Sequence, residues 1–234
     1  MSKRESGAER RARLEEIKKT QKAEQRKRTL LTAGIGLGLG ALIIGGTVTA
    51  IVIQQGNKVE NQPFSSFGVP LAEAGCDDVI DSPTSGGNEH VTEQVAYDTA
   101  PPSSGKHNPQ WLGYPGGPPR KFYTPDDAPQ IESVVHSMEH GHNVLWYLPT
   151  ASEADLQVLE DLAAKVSDDK DTYKFIVTPW DTSRGGFPEG KTVAMSHWGA
   201  ETGSLQYCAA VSGEAVDAFV DAHPITDAPE TNAP

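Results

Sequence analysis

Three of the seven histidines of this 234-residue chain fall within one heptapeptide, His136-Ser137-Met138-Glu139-His140-Gly141-His142. Ile131, Val134, Val135 and Met138 recur at i, i+3, i+4 and i+7. That spacing predicts a helix over Pro129–His140 with a single apolar stripe. At about 100° per residue, His136 and His140 lie one turn apart on roughly the opposite face. Two imidazoles so placed are a common way to give a metal two nitrogen ligands. Three readings fit the pattern: a metal or catalytic site, a hydrogen-bonded structural cluster, and a solvated polar face. Gly141 suits a left-handed stop for the helix. His136-x-x-Glu139-His140 also fits the inverted zinc-peptidase pattern, with Glu139 as general base, and so a zinc-dependent hydrolase. That chemistry needs a third ligand and a cleft, and spacing alone supplies neither.

Two further motif matches carry less. Gly185-x4-Gly190-Lys191-Thr192 spells a P-loop, but a P-loop needs a strand running into it and a helix leaving it. Here Val193-Ala194-Met195-Ser196 reads as a strand, so the match predicts a loop between two strands and no nucleotide. Ser103-x-x-Lys106 resembles a penicillin-binding dyad without its partner motifs.

The elements that position the histidines follow in order. Residues 1–28 hold eleven Lys/Arg against five Asp/Glu, about +6, so the rest carries about -18 of the net -12. The acidic body argues against nucleic acid. Leu30–Ile53 is an uncharged run of 24 residues. As a helix it would span about 36 Å, enough for a bilayer core of about 30 Å. It is longer than a signal-peptide core. The charge asymmetry predicts a single-pass anchor in the cell membrane, with residues 1–29 cytoplasmic and the remainder extracytoplasmic. Gly34, Gly36, Gly38 and Gly40 form two overlapping GxxxG pairs, which would let two such helices dimerise closely.

Residues 54–67 read as a polar stalk, and 68–223 as the folded domain. Its first part, to about residue 125, is rich in Pro, Gly and Ser, which precludes long helices and central strands. The interspersed Trp111, Tyr114, Phe122 and Tyr123 predict an irregular wrap packed on a surface. The regular part reads as a strand at His142–Leu148, a helix at Ser152–Val166, and strands at Tyr173–Thr178, Thr192–Trp198 and Leu205–Cys208. A final helix covers Gly213–His223. This order predicts an α/β (α+β) domain with a small mixed sheet, flanking helices and the wrap. The acidic, Pro-rich tail 224–234 reads as disordered. Cys76 and Cys208 are the only cysteines and form no CxxC. In an oxidising compartment a disulfide between them is favoured over two buried thiols.

The run Tyr97…Pro101-Pro102-Ser103-Ser104-Gly105-Lys106-His107, then Gly113-Tyr114, then Val135-His136-Ser137-Met138-Glu139-His140-Gly141, resembles one family. It is the domain-of-unknown-function family of membrane-anchored actinobacterial proteins with a PPxSGxH … HSxEHG signature, and the likeness covers roughly residues 64–223. It implies the same fold and location, and no activity. The signature covers His107, His136, Glu139 and His140 but not His142. With it, the expected ligand set is His136 and His140, with His107 delivered by the wrap. Glu139, His142, His90 and Met138 are further candidates. Imidazoles suit zinc or copper, and Met138 and Met195 as soft donors tilt toward copper. The alternative is a structural or accessory subunit of a cell-envelope membrane complex, in which the histidines only knit loops together.

Overall fold

The structure is a computed structural model that describes residues 15–16, 18–22, 24–28, 58–169 and 174–233. The chain divides into two compact units, Met1–Gly56 and Asn57–Pro234. In the first, the described residues between 15 and 28 are helical. The expected membrane anchor Leu30–Ile53 and its glycine pairs lie outside the described residues. Among the described residues no helix is long and apolar enough to cross a membrane.

The second unit is a mixed α/β domain. Its strands are β1 (Ile80–Pro83), β2 (Asn143–Tyr147), β3 (Phe175–Pro179), β4 (Val193–Trp198) and β5 (Thr202–Cys208). They form one sheet in the order β1-β5-β4-β2-β3, with β2 and β3 parallel and the other neighbours antiparallel. The helices are α1 (Ile131–Glu139), α2 (Glu153–Asp169) and α3 (Gly213–Ala222). β2, β3 and β4 are buried along their whole length. This is why Val144-Leu145-Trp146-Tyr147 reads as a continuous apolar run rather than an alternation.

Each sheet face has its own core. Leu145, Tyr147, Val177, Met195 and Cys208 pack with α2 and α3 on one face. Val144, Trp146, Ile176, Ala194 and Trp198 pack with Val134, Val135 and Met138 of α1 on the other. Two polar groups inside are paired directly. Trp146 Nε1 donates to Ser196 Oγ at 2.7 Å, and the Tyr147 hydroxyl to the Tyr123 carbonyl at 2.7 Å.

The wrap is irregular, as composition predicts, except for β1, whose Ile-Asp-Ser-Pro sequence shows no apolar alternation. β1 pairs only with β5 and keeps Pro83 at the sheet's edge, where a missing N–H is tolerated. Two expected boundaries change. Residues 58–67 are part of the domain rather than a stalk: Phe67 is buried in the core, and Lys165 Nζ donates to the Glu60 carbonyl at 3.0 Å. The tail expected to be disordered packs against the domain through residue 233. Composition missed three anchors: buried Ala228, the Glu230 N–H on the Glu139 carbonyl, and Lys174, whose Nζ donates to the Thr231 and Ala233 carbonyls.

Cys76 and Cys208 are joined by a disulfide across a sequence separation of 132, pinning the start of the wrap to β5. Cys76→Ser and Cys208→Ser are each expected to lower stability by about 2–4 kcal/mol. The double mutant should melt no lower than the weaker single mutant. Additive losses in thermal melts would show that the two sulfurs act independently.

Candidate metal centre

α1 carries the site. Its apolar stripe packs on the sheet as the spacing predicts, but the opposite face is not solvated. The wrap covers it, so that every α1 residue except Ser133 is buried, and His136, Glu139 and the capping His140 lie inside. The helix stops at Gly141, whose φ of 98° is left-handed. Lys174 donates to the His140 carbonyl at 2.6 Å, placing a cation at the helix C-terminus.

The wrap delivers two more imidazoles. The Val91 N–H donates to the His107 carbonyl at 2.7 Å, and the His107 N–H to the Glu89 carbonyl at 3.1 Å. These bonds lay His90 beside His107 as a parallel bridge. Gly86 permits this approach, because a Cβ there would meet Gly105 C and Lys106 N at 2.3 Å. The His107 ring also lies edge-on to Trp198, with centroids 5.6 Å apart.

His90, His107, His136 and Glu139 thus converge. Each offers one ligand atom, and these atoms all lie within 4.8 Å of one another. His90 is exposed and the other three are buried. The outer bonds fix the ring orientations. His107 Nδ1 donates to the Gly105 carbonyl at 2.9 Å, and His136 Nδ1 to the Asn108 carbonyl at 2.6 Å. Both rings therefore keep Nε2 as a lone pair. A backbone carbonyl on the outer nitrogen is the usual support of a metal-bound histidine. Glu139 Oε1 accepts from the Asn88 N–H at 2.8 Å, leaving Oε2 for the interior.

Glu139 Oε2 approaches His107 Nε2 at 3.0 Å with both side chains fully buried, yet neither atom has a hydrogen-bond partner. The distance is that of an ion pair. In the neutral Nδ1–H tautomer the two atoms are facing acceptors, and a metal ion can also take the place that a proton takes in the ion pair. Such burial is costly unless a cation satisfies both. Donors on one ion at about 2.0–2.2 Å lie about 3 Å apart, so a metal fits this spacing.

The electrostatics agree. Burial pushes His136 down to about 4, against the pull of the Asn108 carbonyl and helped by His107, His140 and His90. His136 is therefore neutral near pH 7, the form that coordinates. Burial works against ionising Glu139, but the His107 ring and the Asn88 N–H outweigh it and hold the carboxyl below its ordinary value.

Of the sequence candidates, His107, His136, Glu139 and His90 come together; His140, His142 and Met138 do not join them. His140 packs edge-on to His136 at 4.6 Å and reaches Glu230 Oε2 at 3.5 Å, so it lines the site from outside. His142 lies past the end of α1 with Nδ1 on the Ser137 carbonyl at 2.8 Å. Met138 points into the sheet, where Ser196 Oγ donates to its sulfur at 3.7 Å. Met195 lies in the core of the other face. Both sulfurs are thus core groups of the sheet. The peptidase reading needs His136 and His140 as a ligand pair and Glu139 free as a base. Here His136 pairs with wrap histidines, and Glu139 is itself a donor of the cluster. A cavity of about 550 Å³ at the carboxyl ends of β2 and β3 is lined by Asn108, Gln130, Trp180 and Arg184, but by none of the four. The P-loop match lies in the loop ahead of β4, with no helix after it. Lys106 pairs with Glu89 at 2.9 Å while Ser103 is buried, so the two form no dyad.

Fold and site define an α/β domain with a three-histidine, one-carboxylate cluster able to hold a metal ion, built between one helix and an irregular wrap. The chain belongs to the family described as "Protein of unknown function (DUF3105)", whose model matches residues 90–234. The match begins at the first cluster histidine and runs through the tail. No curated protein and no solved structure matches the chain.

Proposed function

We propose that this protein is a single-pass, membrane-anchored extracytoplasmic module that binds one transition-metal ion through His90, His107, His136 and Glu139. The observation that carries the metal reading is the convergence of His90, His107, His136 and Glu139, whose ligand atoms all lie within 4.8 Å of one another, with His107 Nε2 and Glu139 Oε2 fully buried at 3.0 Å. Three imidazoles with one carboxylate suit zinc, with copper(II) as the competitor. The ion would supply Lewis acidity or a bound water. The residues themselves supply neutral, oriented nitrogen donors and a charge-compensating carboxylate. Metal analysis of the untagged chain, wild type beside His136→Ala, tests the reading. One equivalent that His136→Ala removes supports it; equal metal in both sinks it.

The membrane part rests on the uncharged Leu30–Ile53, on the eleven basic residues before it, and on a disulfide that suits an oxidising compartment. In intact cells, Ser6→Cys is expected to be shielded from an impermeant thiol reagent. Asn232→Cys, in the exposed part of the tail, should react. The reverse labelling pattern would overturn the orientation.

A further inference from the structure

We propose that His90 is the exchangeable ligand of the metal centre, giving way to an imidazole or thiolate donor from outside, so that the ion passes between this protein and a partner's site. This rests on the four-donor reading above and assigns the centre to metal transfer. The four donors are not held alike. His107 and His136 have their outer nitrogens on the Gly105 and Asn108 carbonyls, and Glu139 has one oxygen on the Asn88 N–H. All three are buried. His90 is exposed, and among the described residues its ring makes no hydrogen bond. It meets the His107 and His136 rings instead, with centroids 4.8 and 4.9 Å apart. Its backbone, by contrast, is fixed on both sides by the two hydrogen bonds between Glu89, Val91 and His107. The ring can therefore leave the ion by side-chain rotation alone, without opening the wrap.

A metal-bound histidine ordinarily has an acceptor on its outer nitrogen, and a structural zinc site keeps all its ligands closed around the ion. His90 departs from both patterns. The three anchored donors form a two-histidine, one-carboxylate set, which in zinc proteins is enough to hold the ion with one position open. That open position lies where His90 was, on the solvent side. His107, His136 and Glu139 are 0, 4 and 0% exposed, so an incoming donor has no comparable approach past them. At the open position one metal–nitrogen bond breaks and one bond to the incoming donor forms, with no change in oxidation state. The incoming group must be a thiolate or a neutral imidazole, since only the deprotonated donor coordinates. The competing explanation is a rim residue, with the ion held by the other three donors and a water, and His90 merely covering them.

Cobalt(II) loaded into the metal-free, untagged full chain tests this, because its absorption reports the coordination shell. Loss of the ion to excess EDTA, followed by the same absorption, reports exchange. His90 is exposed, so His90→Ala leaves the fold intact. The variant is expected to keep one equivalent, to show altered cobalt absorption, and to lose the ion about tenfold faster than the wild type. Added imidazole should fill the vacated position, restoring the wild-type absorption and slowing the loss. Wild-type absorption and a wild-type rate of loss in His90→Ala would overturn the proposal and favour the rim residue. So would a variant that binds no metal, since the three anchored donors would then not hold the ion, or one whose absorption imidazole leaves unchanged. In each of these cases the metal reading stands if the wild type takes up its one equivalent. A wild type that takes up none sinks that reading and this proposal together.

Discussion

Zinc added to the metal-free chain is expected to raise its melting temperature by on the order of 10 °C. A ligand that binds only the folded state stabilises it by about 4 kcal/mol at a thousandfold excess over its dissociation constant. For a domain of this size that shifts the midpoint by roughly 2–4 °C per kcal/mol. His107→Ala and His136→Ala should each abolish the part of the rise that this cluster supplies, since each removes a buried, oriented nitrogen. Glu139→Gln should reduce it, leaving a neutral oxygen where the carboxylate balanced charge. His140→Ala and His142→Ala should leave the rise largely in place, because neither belongs to the converging set. His90→Ala should weaken binding while leaving apo stability nearly unchanged, because the residue is exposed.

The ion should also order the wrap. His90 and His107 sit on segments tied to each other by two backbone hydrogen bonds, and Glu139 is held by the Asn88 N–H of the same segment. Metal is therefore expected to protect residues 86–108 from proteolysis, and His107→Ala to lose that protection. A reading in which the histidines only knit loops predicts otherwise: metal has no effect, and His107→Ala costs the apo domain about 1–3 kcal/mol. A flat melting temperature with both zinc and copper(II) would end the metal reading.

Half of this centre is legible in sequence because half of it lies on a helix. The i, i+3, i+4, i+7 stripe fixes which way α1 packs, and so places His136 and His140 away from the sheet, while Glu139 is singled out only by its motif. Periodicity says nothing about what covers the far face. His140 lies on the same polar side as His136, and no spacing rule shows that the wrap's imidazoles converge on one and not the other. His90 is the clearest case. It stands 17 residues before His107 in a segment without a repeat, and only a two-bond bridge made possible by Gly86 brings them together. The tail misleads for a related reason. Its composition is that of a disordered chain, but Lys174 and the end of α1 offer partners to its backbone, which composition cannot see.

Acid stability is the second large effect expected, and it follows from imidazoles buried neutral. Burial lowers His142 to about 3; the Ser137 carbonyl opposes this, and Lys174 and His140 add to it. In the unfolded chain the same ring titrates near about 6.5. Between those two values the unfolded state holds a proton that the folded state lacks. Stability is therefore complete above about pH 6.5, falls as pH drops, and reaches its full loss near pH 3. At about 1.4 kcal/mol per pKa unit, His142 alone removes roughly 3 kcal/mol by pH 4.5. His197, lowered to about 4 by burial and by His223, contributes a loss of the same sign. Glu132 adds a further loss at lower pH. Burial would raise its carboxyl, but the Arg184 guanidinium and the Val95 N–H outweigh it and hold it below its ordinary value. Losing that ionised pair costs stability as pH falls through the lowered value. The two histidines together reach about 5 kcal/mol at pH 4.5, comparable to the whole stability of a small domain. Urea unfolding of the chelator-treated chain at pH 7.5, 5.5 and 4.5 measures this directly. The loss should shrink in His142→Gln, by about one proton's worth of slope between pH 6 and pH 4.5. A wild-type unfolding midpoint that stays flat down to pH 4.5 would show that His142 and His197 are not held neutral in the folded domain.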